Sequence, residues 1–306
     1  MAAQLRQVRR RIASVQSIGK ITRAQELIAS SRIVRAQQQM RAAEPYSREL
    51  TRAVEAVISR SATIDHPFTK EPENPQRAAV LILTSDQGFA GAYNANVLRE
   101  SARLRQTLNG RGIEPVLYVA GRKGVGWHRF RELELAGSWT NFSAAPRYAN
   151  AQEISQQLLE AFQRGQDGGD EGGVDEIHLV STEFVSMLTQ RPVARRLLPL
   201  EIEETDEPSP SGPLPQYEFE PGPEEVLDAL MPQFVASRIF YAMLEAAAAE
   251  LASRRRAMKA ATDNASDLLE TLTREANNAR QAEITQEISE IVGGANALAD
   301  ASATDE

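Results

Sequence analysis

Ile284-Thr-Gln-Glu-Ile-Ser-Glu-Ile-Val-Gly-Gly-Ala-Asn-Ala-Leu298 closes a helical pattern that runs back to Pro223. Ile284, Ile288, Ile291, Ala295 and Leu298 recur at steps of four and three, the seam spacing of a helix wound on a partner. At 1.5 Å per residue a helix from Pro223 to Leu298 spans on the order of 110 Å, several times the diameter of a small domain. Most of such a helix projects from any globule the chain makes, and it needs a partner.

The other end of the chain supplies one. Leu5, Val8, Ile12, Val15 and Ile18 step by three or four, and the pattern revives at Leu50, Val54, Val57 and Ile58. Residues 1–60 therefore read as one long helix, interrupted only by Gly19 and Pro45. Helices from opposite ends of a chain, enclosing a globular insertion, pair antiparallel. The charges agree: residues 1–60 hold twelve Lys or Arg against four Asp or Glu, whereas residues 200–306 hold seven against twenty-two. Opposite-sign arms favour pairing and register, although each exposed ion pair contributes little. Ala246 to Ala249, Ala252, Ala257, Ala260 and Ala261 are small enough to let two helices approach closely.

Composition narrows the function. A net charge of −8 argues against a nucleic-acid binder, and the basic first arm lacks the aromatic interleaving of a single-strand binder. There is no cysteine, which removes disulfides, thiolate metal sites and thiol switches. No apolar run reaches the length of a membrane span and Met1 leads directly into the first helix, so membrane association is expected to be indirect and peripheral.

The middle of the chain changes character. Ala78 to Thr84, Ile113 to Ala120 and Ile177 to Ser181 are continuous apolar runs, the pattern of buried parallel strands, and helical stretches near 92–108, 123–132 and 149–164 lie between them. The alternation predicts a small Rossmann-like parallel sheet over 75–200, with Phe184 to Leu200 as an added hairpin at one edge. Residues 201–221 are an acidic, Pro-rich linker, 222–298 the second coiled-coil helix and 299–306 a tail. The fold class is thus α/β with a long antiparallel coiled coil.

Active-site chemistry is sparse. Gly121-Arg-Lys-Gly-Val-Gly126 follows a strand, but neither the phosphate-loop nor the dinucleotide glycine spacing is present. Ser85-Asp-Gln-Gly-Phe-Ala-Gly91 sits where doubly wound sheets often keep a ligand, yet a turn needs Asp86, Gly88 and Gly91 for backbone reasons alone. His66, His128 and His178 are far apart in sequence without a second ligand at helical spacing. No catalytic, cofactor or metal residue is therefore assigned, and no small-molecule substrate is expected.

Four segments carry a resemblance: Ile12-Ala-Ser-Val-Gln-Ser-Ile-Gly-Lys-Ile-Thr22, Ser85-Asp-Gln-Gly-Phe-Ala-Gly-Ala-Tyr-Asn94, Ala257-Met-Lys-Ala-Ala-Thr-Asp-Asn-Ala265 and Ile284 to Leu298. Over nearly its whole length the chain resembles the γ subunits of F-type ATP synthases, departing at Gln25, Leu27 and Arg255, where methionine is usual. The resemblance implies a central rotating shaft without catalytic groups of its own, at the cytoplasmic face of the cell membrane. Its implied partners are the α and β subunits, the ε subunit and the ring of c subunits. It implies contacts with the α/β ring at Arg254, Arg280, Gln281, Thr285, Ile288, Ile291 and Leu298, and contacts of the foot with ε and the c ring at Tyr217, Phe219 and Glu220. Gly165-Gln-Asp-Gly-Gly-Asp-Glu-Gly-Gly173 is longer than the family needs, and its Asp167, Asp170 and Glu171 are candidates for a regulatory loop. The competing expectations are a non-rotary coiled-coil adaptor and a small nucleotide enzyme built on the central sheet.

Overall fold

The computed structural model describes residues 2–60, 66–166, 172–200, 220 and 222–303. In chain order the elements are α1 (Ala2–Arg60), β1 (Arg77–Leu83), α2 (Tyr93–Gly110), β2 (Glu114–Ala120), α3 (Arg122–Phe130), β3 (Gly137–Trp139), α4 (Tyr148–Gln166), β4 (Glu176–Phe184), β5 (Gln190–Leu198) and α5 (Pro223–Ala303). They form two compact units, Ala29–Arg255 and Met1–Ile28 with Arg256–Glu306.

In the larger unit the strands order β3-β2-β1-β4-β5; the first four are parallel and β5 returns antiparallel to β4. β1 shows why its sequence is apolar without alternation. Ala79, Leu81 and Leu83 enter one core with Ile154, Leu158 and Phe162 of α4 and with Leu227, Met231 and Ile239 of α5, while Ala78, Val80 and Ile82 enter a second core with Val97 and Leu108 of α2 and Val125 of α3. Period-two side chains serving two apolar layers leave no polar face on the strand. The separate hairpin expected over Phe184 to Leu200 is instead one strand, β5, which turns back on β4 because β4 runs on to Phe184. β5 tolerates Pro192 because an edge strand has one unpaired side, and Arg191 and Arg195 both bind Glu183 of β4. β3, three residues long and lacking an apolar run, is not legible in the sequence.

α1 carries a heptad longer than its apolar residues announce. Leu5, Val8, Thr22, Glu26, Ala29, Ile33, Ala36, Ser47, Leu50, Val54 and Val57 are buried, and Ile12, Val15, Gly19, Met40 and Ala43, which fall at the intervening steps, are partly buried. The spacing of three and four never breaks, so Ile18, expected in the seam, lies beside it and is 53% exposed. A sustained seven-residue repeat is that of a left-handed supercoil.

In the smaller unit Gly19 faces Ala265, whose Cβ lies 3.6 Å from where a glycine Cβ would stand. The Thr262 hydroxyl donates to that of Thr22 at 2.8 Å. Three residues forward on α1 are three residues back on α5, so the pair is antiparallel. Met258, Ala265 and Leu272 are the buried positions of α5 here. Beyond Leu272 the apolar residues of α5 are no longer covered: Ile284, Ile288, Ile291 and Val292 are exposed. In the larger unit the same two helices meet through Ile33 and Ala36 on one side and Ala248, Leu251 and Ala252 on the other. Proline lies inside both helices, at Pro45 and Pro232. An interior proline costs about 3 kcal/mol, and burial of neighbours such as Ser47, Leu50, Met231 and Phe234 offsets it.

Candidate functional site

The residues expected to touch partners fall into separate environments. Arg280, Gln281 and Thr285 are exposed on α5 of the smaller unit. Among the described residues, the side chains of Arg280 and Gln281 form no hydrogen bond or ion pair, and Thr285 donates only to the Gln281 carbonyl one turn back, at 2.9 Å. Ile284, Ile288, Ile291 and Val292 are 44%, 56%, 72% and 53% exposed. From Arg280 to Val292 these residues recur at threes and fours, placing three polar side chains and an apolar stripe on one face. Leu298 lies on α5, but its side chain falls outside the described set, as do Tyr217, Phe219, Asp167, Asp170 and Glu171. Glu220 is exposed.

Arg254 is found elsewhere. Expected as a surface contact, it is 5% exposed and belongs to the larger unit. Its guanidinium pairs with Glu250 at 2.7 Å, one helical turn earlier, and donates to the carbonyls of Gln87 and Gly88, each at 3.2 Å. Glu250 is 1% exposed. Burial pushes its pKa above the usual carboxylate range, while the Arg254 charge and hydrogen bond pull against that shift. Sequence reasoning missed Glu250. Its signal is a lone carboxylate after four alanines, four residues before an arginine.

The loop that Arg254 reaches follows β1 at the point where strand order reverses, the ligand crevice of a doubly wound sheet. The Asp86 carboxylate accepts from the backbone amides of Arg122 at 3.0 Å and Ser143 at 2.9 Å. It thus occupies the N-terminal end of α3, where a phosphate would otherwise bind. Burial raises its pKa, but the amide hydrogen bonds outweigh this and hold it low. Gly121 and Gly124 exist for packing: a Cβ would stand 2.2 Å from the Thr84 carbonyl oxygen at the first and 2.6 Å from Thr84 Oγ1 at the second. The cavity left beside Thr84, Tyr93, Ser143 and Glu250 measures about 20 Å³, room for a water and far below the few hundred Å³ a nucleotide requires. The crevice is filled by the chain itself.

Phe89, in this loop, has φ 58° and is 77% exposed. A left-handed backbone costs a bulky residue about 1–2 kcal/mol, so surrounding bonds must hold it there. Each histidine has a structural partner: His66 the Asp228 carboxylate, His128 the Gly124 carbonyl and His178 the Glu176 carboxylate.

Comparison with known proteins places the chain in a family. A family model described as ATP synthase matches residues 4–298. The ATP synthase gamma chain of Thermobifida fusca is 59% identical, the alignment covering 100% of both chains, and that of Acidothermus cellulolyticus 58% identical over 97% of this chain and 98% of the relative. The chain belongs to the ATP synthase gamma-chain family. A chain in a solved structure of the Euglena gracilis mitochondrial ATP synthase rotor, only 13% identical, superposes with a TM-score of 0.65 over 93% of this chain and 100% of that one. The fold of the family is therefore present here at low as well as high sequence identity.

Proposed function

We propose that this chain is the rotating central shaft of an F-type ATP synthase. It couples proton flow through a ring of c subunits to ATP synthesis and hydrolysis in a ring of α and β subunits. The observation that carries this reading is the bare end of α5: the apolar stripe of Ile284, Ile288, Ile291 and Val292 is uncovered by any described residue. The full-length likeness to gamma chains supports taking the α and β ring as the sleeve that would cover it. Each isoleucine that a sleeve buries completely contributes about 1.5–3 kcal/mol. Arg280, Gln281 and Thr285 flank the stripe as its polar contacts, and Leu298 extends it.

ATP chemistry belongs to the neighbouring subunits and this chain is non-catalytic, a reading supported by the self-filled crevice after β1. Among the described residues no helix is long and apolar enough to cross a membrane. The chain is accordingly peripheral at the cytoplasmic face, held by ε and the c ring through the segment containing Tyr217, Phe219 and Glu220. Asp167, Asp170 and Glu171 form an acidic loop that tunes hydrolysis without being needed for assembly. The non-rotary adaptor is not favoured, because the relatives that match end to end are gamma chains.

Limited proteolysis tests the sleeve. Residues 284–303 should be cut in the isolated chain and protected once α and β subunits are added. Equal protection of the isolated chain would sink the reading. For the acidic loop, deletion of residues 166–172 should alter the rates of ATP hydrolysis or proton pumping in membrane vesicles; identical rates would make the loop passive.

A further inference from the structure

Gln87 and Gly88 turn consecutive carbonyls toward one guanidinium, and the residue that follows them, Phe89, takes the left-handed conformation. Gly91, two residues on, is also left-handed at φ 57°. The chain thereby reverses so that Phe89 stands in solvent while Ala90 and Tyr93 pack behind it on Ala249 of α5. Other bonds hold the ends of the loop. The Ser85 amide donates to Asn94 Oδ1 at 2.9 Å, the Asp86 amide to Ser143 Oγ at 2.8 Å, and the Tyr93 amide to the Ala90 carbonyl at 3.2 Å. At the tip, the bonds to Gln87 and Gly88 from outside the loop come from Arg254, which cannot swing away because Glu250 grips the same guanidinium nitrogen that reaches Gln87. Both members of the pair are almost completely buried, so neither has solvent to turn to.

We propose that Glu250 and Arg254 are positioning residues for the Ser85–Gly91 loop: Arg254 affects coupling by fixing the backbone that presents Phe89, not by touching a neighbouring subunit. The coupling part rests on the rotor reading above; the holding of the loop stands without it. Function would then pass from α5 to a partner through an exposed aromatic ring whose backbone is under strain, the kind of outlier that marks a working surface.

The first experiment is hydrogen exchange on the isolated full chain. In Arg254→Ala the amides of Ser85, Asp86 and Tyr93 should exchange faster by about tenfold or more, the consequence of losing charge-assisted hydrogen bonds. Residues 176–198 of β4 and β5 should be unaffected. Glu250→Gln keeps an acceptor beside the guanidinium and should restore most of the protection that Glu250→Ala loses, which also serves if Arg254→Ala folds poorly. Unchanged loop exchange, or equal acceleration across β4 and β5, would overturn the positioning role whatever the chain does in a complex. The second experiment is a turnover cycle in the assembled ATPase with Arg254→Lys, Phe89→Ala and the double variant. Lysine cannot span both carbonyls and the carboxylate, so kcat should fall while KM for ATP is retained, and adding Phe89→Ala should lower it little further. Losses that multiply independently would mean that Arg254 acts outside the loop and would overturn the proposed route, leaving the exchange result to speak for the clamp alone.

Discussion

Three stretches of one helix show how differently the same secondary structure can be held. From Phe234 to Arg254, α5 is buried on nearly every side, with Ile239, Ala248 and Ala249 fully enclosed. From Met258 to Leu272 burial recurs only at seam positions, and from Ile284 to Ala295 every described residue is exposed. The first stretch is stabilised by the two-layer core of the larger unit and the second by one partner helix; among the described residues the third has only hydrogen bonds within its own helix, such as Gln286 to Glu290 and Ser289 to the Thr285 carbonyl. A helix without tertiary support is marginal in water, so a continuous apolar stripe on the third stretch is information about assembly rather than about folding.

Cavity formation should separate these regimes most strongly. Leu81, at the centre of β1, is fully buried between layers that cannot collapse. Leu81→Ala should destabilise the larger unit by about 3–5 kcal/mol. Both tryptophans, Trp127 and Trp139, lie in that unit and report its unfolding through fluorescence. Leu272→Ala, at the seam of a helix pair free to close the gap, should cost about 2 kcal/mol, followed by loss of helix in circular dichroism. Equal losses at the two sites would mean that the seam is packed as rigidly as the sheet.

A smaller effect should appear in acid, and only in the larger unit. Glu176 is fully buried and accepts from Arg111 at 2.9 Å while pairing with His178 at 2.7 Å. Burial alone raises its pKa, but the hydrogen bond and charge of His178, with those of Arg111, bring it below the ordinary value. The folded pKa is lower than the unfolded one. This stabilisation is therefore complete above the unfolded value, about pH 4.3, and is lost as pH falls through the folded value. Asp86, also held low, adds in the same direction. Tryptophan-monitored stability should be level near neutrality and decline below about pH 4. Glu176→Gln should flatten part of that decline; an unaltered slope would remove Glu176 from the account.

The sequence conveys these regions unevenly. Strands β1, β2 and β4 are plain in it because two apolar layers demand unbroken runs such as Ala78 to Leu83. The seam is half legible. Leu5 to Val15 announce it, then it passes through Gly19, Thr22 and Glu26, where close helix approach and the Thr22–Thr262 hydrogen bond replace apolar bulk. Following apolar residues alone leads off the seam to Ile18. Arg254 stands out in the sequence only through the resemblance, and its burial and bonds are illegible there because the carbonyls it binds lie 166 and 167 residues away. Ile288 and Ile291 carry the same pattern whether their partner is in the chain or outside it, and only their exposure in the fold separates the two.

The insertion after α4 should matter less to stability than either of those tests. Its ends already meet: a Cβ on Gly165 would stand 2.3 Å from the Val174 carbonyl oxygen, and one on Gly173 2.5 Å from the Gly165 amide nitrogen. Removing residues 166–172 therefore shortens a closed loop, and halving a loop changes its closure free energy by only about 0.6 kcal/mol. Gly165→Val, which keeps the loop length but forces the pinched backbones apart, should be the more damaging change. Chemical denaturation of both variants tests this, and the opposite ranking would show that the insertion contributes contacts of its own.

The smallest effect on the isolated chain should come from the most conspicuous apolar residue of α5. Ile291 is 72% exposed, and no described residue covers it. Ile291→Asp should then change the thermal unfolding of the isolated chain by no more than about 0.5 kcal/mol, the ordinary range for a surface substitution. In the assembled complex the same carboxylate would enter an apolar sleeve and lose its water, an unfavourable burial with no partner charge. Weakened assembly or lowered ATP turnover is expected there, and Ile291→Leu should behave as wild type in both settings. Destabilisation of the isolated chain by Ile291→Asp would mean that the third stretch of α5 has a partner within its own chain, and the distinction between a seam that folds the protein and a stripe that assembles it would collapse.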